Sequence, residues 1–435
     1  MLKHYLDELP DTINFEKYTL SNGLTVVLAP VKKVFSVRAN LFVKVGSQYE
    51  NKNINGISHF LEHMVFKGTE SKPNHTLLVK DIDDNGGQQN ASTSYEATCF
   101  YANIGFEYLN YVLEFLSDIF TNCIFPEEEF KKEKGVIIEE IRMYEDNPRY
   151  KVEDLLIKSM YGDQPAGWNI AGEEKNIQQM ARNQMVQYYN QYYNPKNAIL
   201  FIVGNFDKTK TKNLISRLFN KKIPSKKISY PKSKILFNGP QVNLFNKDIQ
   251  ETHFMLGFNT FPAYDKRNYV LSTIDNVLSS GFNSKLWLNI RERLGGTYYM
   301  GSSNDTMYDR GVFQLFGGVN NERSEEILTE VIQELHRLKT QKIDNVELEK
   351  VKNRSISNTL MWFDDPYYWV SPIYNAIFYN HKIETHKEYL QKLLNVTSND
   401  IMKISNEIFT PKNIKLGILT KGYKAEQFKK IISKI

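Results

Sequence analysis

The stretch GISHFLEHMVFKGT, residues 56–69, decides how the rest of the chain is read. His59 and His63 stand four residues apart, one turn above each other on a helix, so both imidazoles can reach a single metal ion. Glu62, immediately before the second histidine, is placed to hold a water on that ion. The order H-x-x-E-H inverts the H-E-x-x-H metal motif. Two surface histidines on a polar face are the plain alternative, and a zinc site needs a third protein ligand to displace it.

The segment PEEEFKKEKGVIIEEIRMYEDNP, residues 126–148, offers candidates. Proline in the first turn, acids behind it and an Asp-Asn-Pro stop predict one helix. Phe130, Ile137, Ile141 and Tyr144 form its apolar stripe. At about 100° per residue, Glu133 and Glu140 lie roughly 20° apart on the edge of that stripe, whereas Glu139 falls about 160° from Ile137 and faces water. Two inward carboxylates need a cation or hydrogen-bond donors. A metal and the free N–H of a ligand histidine would satisfy them. On helix geometry alone, pairing of the two glutamates with Lys131 or Lys134 remains an equal alternative.

Taken together, HFLEH, the following FKGT and the position of Glu140, 77 residues beyond His63, resemble the pitrilysin and insulin-degrading group of inverted-motif zinc metallopeptidases, which includes the mitochondrial processing peptidases. The resemblance implies one zinc ion per chain on His59, His63 and Glu140. It further implies Glu62 as general base on the zinc-bound water and Glu133 as a supporting carboxylate. Between the two metal segments, DDNGGQQNASTSYEATCFYANIGF (83–106) holds a Gly86-Gly87 turn and a polar, Thr-rich run that reads as a strand. It is similar to the family's N-A-(aromatic)-T segment, an edge strand that pairs with extended peptide by β-augmentation. Asn90, Ala91 and Thr93 match; Ser92 stands where the family carries an aromatic residue.

In the C-terminal half, SSGFNSKLWLNIRERLGGTYYMGSS (279–303) resembles the family's R-x-x-x-G-L-x-Y segment, with Arg291 and Tyr298 in the matching positions. A guanidinium and a phenol there would grip a peptide carbonyl and share the oxyanion charge. The plain reading is an arginine at a helix end and an aromatic in a strand. The chain is also an internal repeat: Pro195-Lys196-Asn197 leads into AILFIVGNF, and Pro411-Lys412-Asn413 into IKLGILTKG. A repeat of half the chain is a duplicated domain and not a solenoid unit. The expected organisation is an N-terminal zinc-binding domain over 1–220, a solvated linker over 221–236 rich in Lys, Ser and Pro, and a homologous C-terminal domain over 237–435. Strands and helices mix without a β-α-β rhythm, so each domain is expected to be α+β, a largely antiparallel sheet with flanking helices. The resemblance sets the two facing each other as a clam-shell.

At 435 residues and 41% hydrophobic, the chain can bury two cores. Net charge is +5 with both signs interspersed, which argues against nucleic acid as a partner. Nucleotide-binding glycine motifs are absent from the sequence. The stretch MLKHYLDELPDT is charged where a signal peptide is apolar, and no apolar run would span a bilayer, so a cytoplasmic protein without membrane partners is expected. Cys99 and Cys123 read as core residues of a reducing compartment. The aromatic run YYNQYYNP (188–195) reads as helix packing against a sheet. The reading is a zinc metalloendopeptidase acting on extended peptides or unfolded precursor segments, and resemblance adds a homodimer. The alternatives are a catalytically silent scaffold subunit of the same fold, or a protein that binds peptides without cutting them.

Overall fold

The computed structural model describes residues 2–221, 226–236, 239–363 and 365–435. Two strands, β6 (Ala198–Gly204) and β11 (Ile414–Thr420), are buried at every position, and each follows one Pro-Lys-Asn motif. Near-continuous apolar runs of this kind cannot leave either face in water, so each becomes the interior of a sheet covered on both sides. Around β6 stand β1 (Glu16–Thr19), β2 (Thr25–Pro30), β3 (Ser36–Val43), β4 (Gln88–Thr93) and β5 (Thr98–Gly105), in the order β1-β2-β6-β3-β5-β4. Around β11 stand β7 (Gln241–Asn246), β8 (Glu251–Thr260), β9 (Thr297–Thr306) and β10 (Gly311–Asn320), in the order β7-β11-β8-β10-β9. Apart from β1, the sheets correspond strand for strand. In each, one pair is parallel (β2 with β6, β7 with β11) and the rest are antiparallel. The α+β architecture of two repeated sheets is as the sequence led us to expect.

Each sheet is covered on one face by helices from its own half. The first core joins β3, β5 and β6 to Ile57–Met64, Leu109–Thr121 and Arg182–Tyr192, with Tyr188, Tyr189 and Tyr193 buried. The opposite faces are covered reciprocally. Helix Pro148–Tyr161, from the first half, lays Val152, Leu156 and Met160 on Met255, Val312 and Leu419 of the second sheet. Helix Pro366–Tyr379, from the second half, lays Val370 and Ile373 on Val27, Ala29, Ile199, Phe201 and Val203 of the first. Fully burying side chains of this size contributes roughly 1.5–3 kcal/mol each. The first of these contacts is close enough to require glycine: a Cβ on Gly417 of β11 would meet the Val152 carbonyl at 2.3 Å.

The segment read as a solvated linker is different in the structure. Its residues 222–225, like 237 at the expected start of the next domain, lie outside the described residues; 226–236 form an irregular strap tied to both halves. Arg310, fully buried, donates to Ser233 Oγ (2.6 Å), Tyr230 OH (3.2 Å), Asp309 Oδ1 (3.0 Å) and Gln48 Oε1 (3.2 Å). The Gln48 amide donates to the Pro231 carbonyl and Ser233 Oγ, both at 3.0 Å. A buried guanidinium is tolerated only when paired and hydrogen-bonded, and the strap supplies much of that pairing. No helix among the described residues is long and apolar enough to cross a membrane.

Candidate metal centre

The histidine helix Ile57–Met64 begins at Gly56, whose φ of 97° and close approach to the Ala171 carbonyl exclude a side chain. Its first turn is capped by Glu50, a buried carboxylate that accepts from the Gly56 and Ser58 N–H groups at 2.8 Å and from the Asn55 amide at 3.0 Å. Burial pushes this carboxyl up to about 7 against those hydrogen bonds. Ile57, Phe60, Leu61 and Met64 enter the core, and Phe60 stacks on Phe130 of helix Glu127–Asp146 at 4.8 Å. That contact sets the two helices side by side and leaves His59, Glu62 and His63 turned towards Glu140.

Glu140 Oε2 lies 3.7 Å from His59 Nε2 and 3.5 Å from His63 Nε2, and the three residues offer ligand atoms all within 4.8 Å of one another. Two ligands held about 2.0–2.2 Å from a tetrahedral ion stand about 3.3–3.6 Å apart, so this cluster fits a zinc ion. Burial, with the neighbouring His63, drops the His59 imidazole to about 4, so the ring is neutral near pH 7 and does not meet Glu140 as a charged ion pair. The other Glu140 oxygen is fixed by the Tyr144 hydroxyl at 2.7 Å. His63 Nδ1 meets Glu133 Oε1 at 2.8 Å, and Lys67 Nζ meets Glu133 Oε2 at 2.6 Å. Burial lowers the His63 pKa, but the Glu133 hydrogen bond and charge more than offset it, and the net shift is upward. Glu133 moves down: burial opposes, and its bonds to His63 and Lys67 prevail. A carboxylate on the second ring nitrogen fixes the tautomer and points the Nε2 lone pair at the ion site. Among the described residues, the buried His59 Nδ1 has no hydrogen-bond partner. Lys131 and Lys134 are engaged elsewhere, with Glu128 and the Gln178 carbonyl, so the surface-pairing alternative does not apply. Glu139 is out in solvent on Arg142.

Glu62 lies beside the cluster and accepts a hydrogen bond from Thr93 Oγ1 of β4. Burial raises its carboxyl pKa, and the Thr93 bond opposes. The site opens into a cleft of about 550 Å³ bordered by Asn90, Ala91, Ser92 and Thr93, all on the edge strand β4, and by Tyr144, Tyr150, Glu153 and Asp154 opposite. Glu153 and Asp154 are both raised by burial, Glu153 also by Asp305. Next to it lies a second cavity of about 390 Å³ that shares Tyr150 and Glu153 and is closed by Met255, Tyr299, Gln314 and Phe316 of the second sheet.

Arg291 and Tyr298 do not line either cavity. The Arg291 guanidinium stacks on Trp287, one turn back, at 4.1 Å, and Tyr298 is 59% exposed. A bulge where β9 slips against β10 at Gly318/Val319 resets the alternation of β9. Tyr299 takes the inward position instead, its hydroxyl 3.0 Å from His253 Nδ1. In this geometry Arg291 and Tyr298 stand apart from the metal cluster and the two cavities beside it. Sequence reasoning also missed Glu50, Lys67, Tyr144 and the acids of helix Pro148–Tyr161. Of these, only Tyr144 had a signal, one turn beyond Glu140 on the same helix face.

The family model described as Insulinase (Peptidase family M16) matches residues 25–174, and Peptidase M16 inactive domain matches 179–355. A protein of Rickettsia felis named an uncharacterized zinc protease is 33% identical over 398 residues, 91% of this chain and 95% of its own. One of Bacillus subtilis, named likewise, is 36% identical over 340 residues, 78% of this chain and 82% of its own. The crystal structure of a protease from Helicobacter pylori superimposes with a TM-score of 0.88 at 25% identity, covering 94% of this chain and 99% of that one.

Proposed function

Because the chain belongs to the insulinase family of peptidases, M16, we propose that it is a zinc-dependent endopeptidase that hydrolyses extended peptides or unfolded segments. The observation that carries this reading is the convergence of His59 Nε2, His63 Nε2 and Glu140 Oε2 with a hydrogen-bonded Glu62 beside them, at the mouth of a cleft bordered by a sheet edge. When bound, a zinc ion lowers the pKa of a coordinated water to about 7 and polarises the scissile carbonyl.

Glu62 performs the proton chemistry. Thr93 holds one of its oxygens, so the other is free to take a proton from the attacking water and return it to the departing amide nitrogen. A carboxyl raised above its ordinary value by burial releases that proton less readily to solvent, which suits a group that must give it back. Glu133, held by Lys67, keeps the His63 ring in register. Backbone groups on the open edge of β4 bind the peptide as an added strand, an arrangement that reads chain extension more than side-chain identity.

The experiment is a metal assay paired with peptide turnover. Purified protein should hold one zinc per chain and cut unfolded reporter peptides, and Glu62→Gln should keep the metal while losing cleavage. Undiminished turnover in Glu62→Gln removes the mechanism. A metal-loaded wild type that binds peptides and returns them whole favours the non-cutting alternative.

A further inference from the structure

Arg149, in the first turn of helix Pro148–Tyr161, lies in the cavity next to the metal cleft. Its guanidinium lies over the Tyr299 ring at 4.5 Å and near Phe316 at 5.9 Å. The Tyr299 ring is itself fixed by its hydroxyl on the buried His253. Among the described residues, no carboxylate lies within ion-pair distance of Arg149, although Glu153 is one turn ahead on the same helix, where such a pair commonly forms. Of the described residues lining the two cavities, Arg149 is the one lysine or arginine; the rest of the charged lining is Glu62, Glu140, Glu153 and Asp154 with the two histidines.

An exposed arginine without a partner is ordinary on a protein surface. This one lies over the Tyr299 ring, with Phe316 near by, in a cavity that shares Tyr150 and Glu153 with the cleft. A guanidinium resting on an aromatic ring keeps the N–H donors with which arginine receives a planar carboxylate through two parallel hydrogen bonds. We infer that Arg149 is a specificity-determining residue that receives a carboxylate of the bound peptide, either an acidic side chain or the C-terminal carboxyl group. This inference rests on the peptidase reading above. One helical turn, about 5–6 Å, separates Arg149 from Glu153. Two residues of extended chain cover about 6.8 Å. For a peptide running alongside this helix, the favoured carboxylate would lie about two residues from the position that faces Glu153.

The test uses the full chain and extended reporter peptides of about ten residues. A single aspartate is moved along each peptide, which is made both as C-terminal acid and as amide. The ratio of kcat/KM for each charged peptide to its neutral parent is read within each variant, so a general loss of turnover cancels. Wild type should favour one aspartate position, or the free acid over the amide, by about five- to tenfold at low salt, shrinking as salt is raised. Arg149→Ala should bring that ratio near one, and Arg149→Glu should transfer the preference to lysine at the same position. The aspartate and free-acid arms separate the two sources of the carboxylate. Equal ratios in wild type and Arg149→Ala, or no preference in wild type, overturn the inference. If wild type cuts nothing, the peptidase reading fails, and the same ratios are read as Kd by fluorescence anisotropy in Glu62→Gln with and without Arg149→Ala.

Discussion

In the first half, the edge strand β4 packs beside a helix whose Glu62 accepts a hydrogen bond from a strand hydroxyl, Thr93. In the second half, the equivalent edge strand β9 packs beside helix Asn268–Ser279, whose Asp275 accepts one from Ser302. Both carboxyls are raised by burial, Asp275 to about 6. The two sites part company one turn away. His59 and His63 stand on the first helix, and Glu140 arrives on another; the second helix carries no histidine, and among the described residues no second group of His, Cys, Asp or Glu gathers to hold an ion. The family description of residues 179–355 as an inactive domain agrees with that difference. One duplicated fold thus gathers side chains that could hold a metal ion in one copy and makes a plain helix-to-strand hydrogen bond in the other, and only the site's own side chains separate them.

The comparison breaks most sharply at the paired carboxylates. Glu62→Gln should cost about 10²–10⁴-fold in peptide turnover, whereas Asp275→Asn should leave kcat/KM within about twofold. Comparable losses in both variants would show that the halves share the chemistry. Next comes the ion itself. Glu140→Ala should drop bound zinc well below one per chain by elemental analysis, with turnover lost in parallel, and no substitution in the second half should do so.

A smaller effect is expected at the supporting carboxylate. Glu133→Gln should weaken zinc affinity or activity by about 10–100-fold in competition with a chelator. It also sets a pH dependence with a definite sign. Because Glu133 and its neighbours raise His63 above its ordinary 6.5, the metal-free ring still holds its proton at pH values where a free imidazole has lost it. Metal must displace that proton, so affinity falls as pH drops through the raised value. His59, at about 4, stays neutral across that range. Glu133→Gln should lower the pH below which zinc affinity begins to fall from its own plateau; an upward shift of that bend contradicts the assignment. The smallest change is Gly417→Ala, which forces helix Pro148–Tyr161 off its sheet and should cost about 1–3 kcal/mol of stability, seen as a lower Tm.

Much of the metal site could be read from local spacing, because helix periodicity fixes which side chains share a face. It separated Glu133 and Glu140 from Glu139, and the Gly86-Gly87 turn announced the strand that became the β4 edge. Long-range pairing left no such trace. The apolar stripe on Pro148–Tyr161 shows that a face is buried but not that it belongs to the other half's sheet. Arg310 and Gln48 lie 262 positions apart, and nothing local to the Lys-rich strap announces their contact. The exchange of Tyr298 for Tyr299 depends on a single β-bulge, which period-two reasoning cannot foresee.

The crossed helices decide what happens if the backbone is cut between the halves. A fragment ending at Lys221 would lack Val370 and Ile373 and expose Val27, Ile199 and Phe201 to water; its complement would lack Leu156 and bare Met255 and Leu419. Each piece made alone should aggregate, whereas the two made together should clasp into one particle, as a split reporter does. A nick there would leave the molecule assembled, its two polypeptides still holding hands through each other's helix.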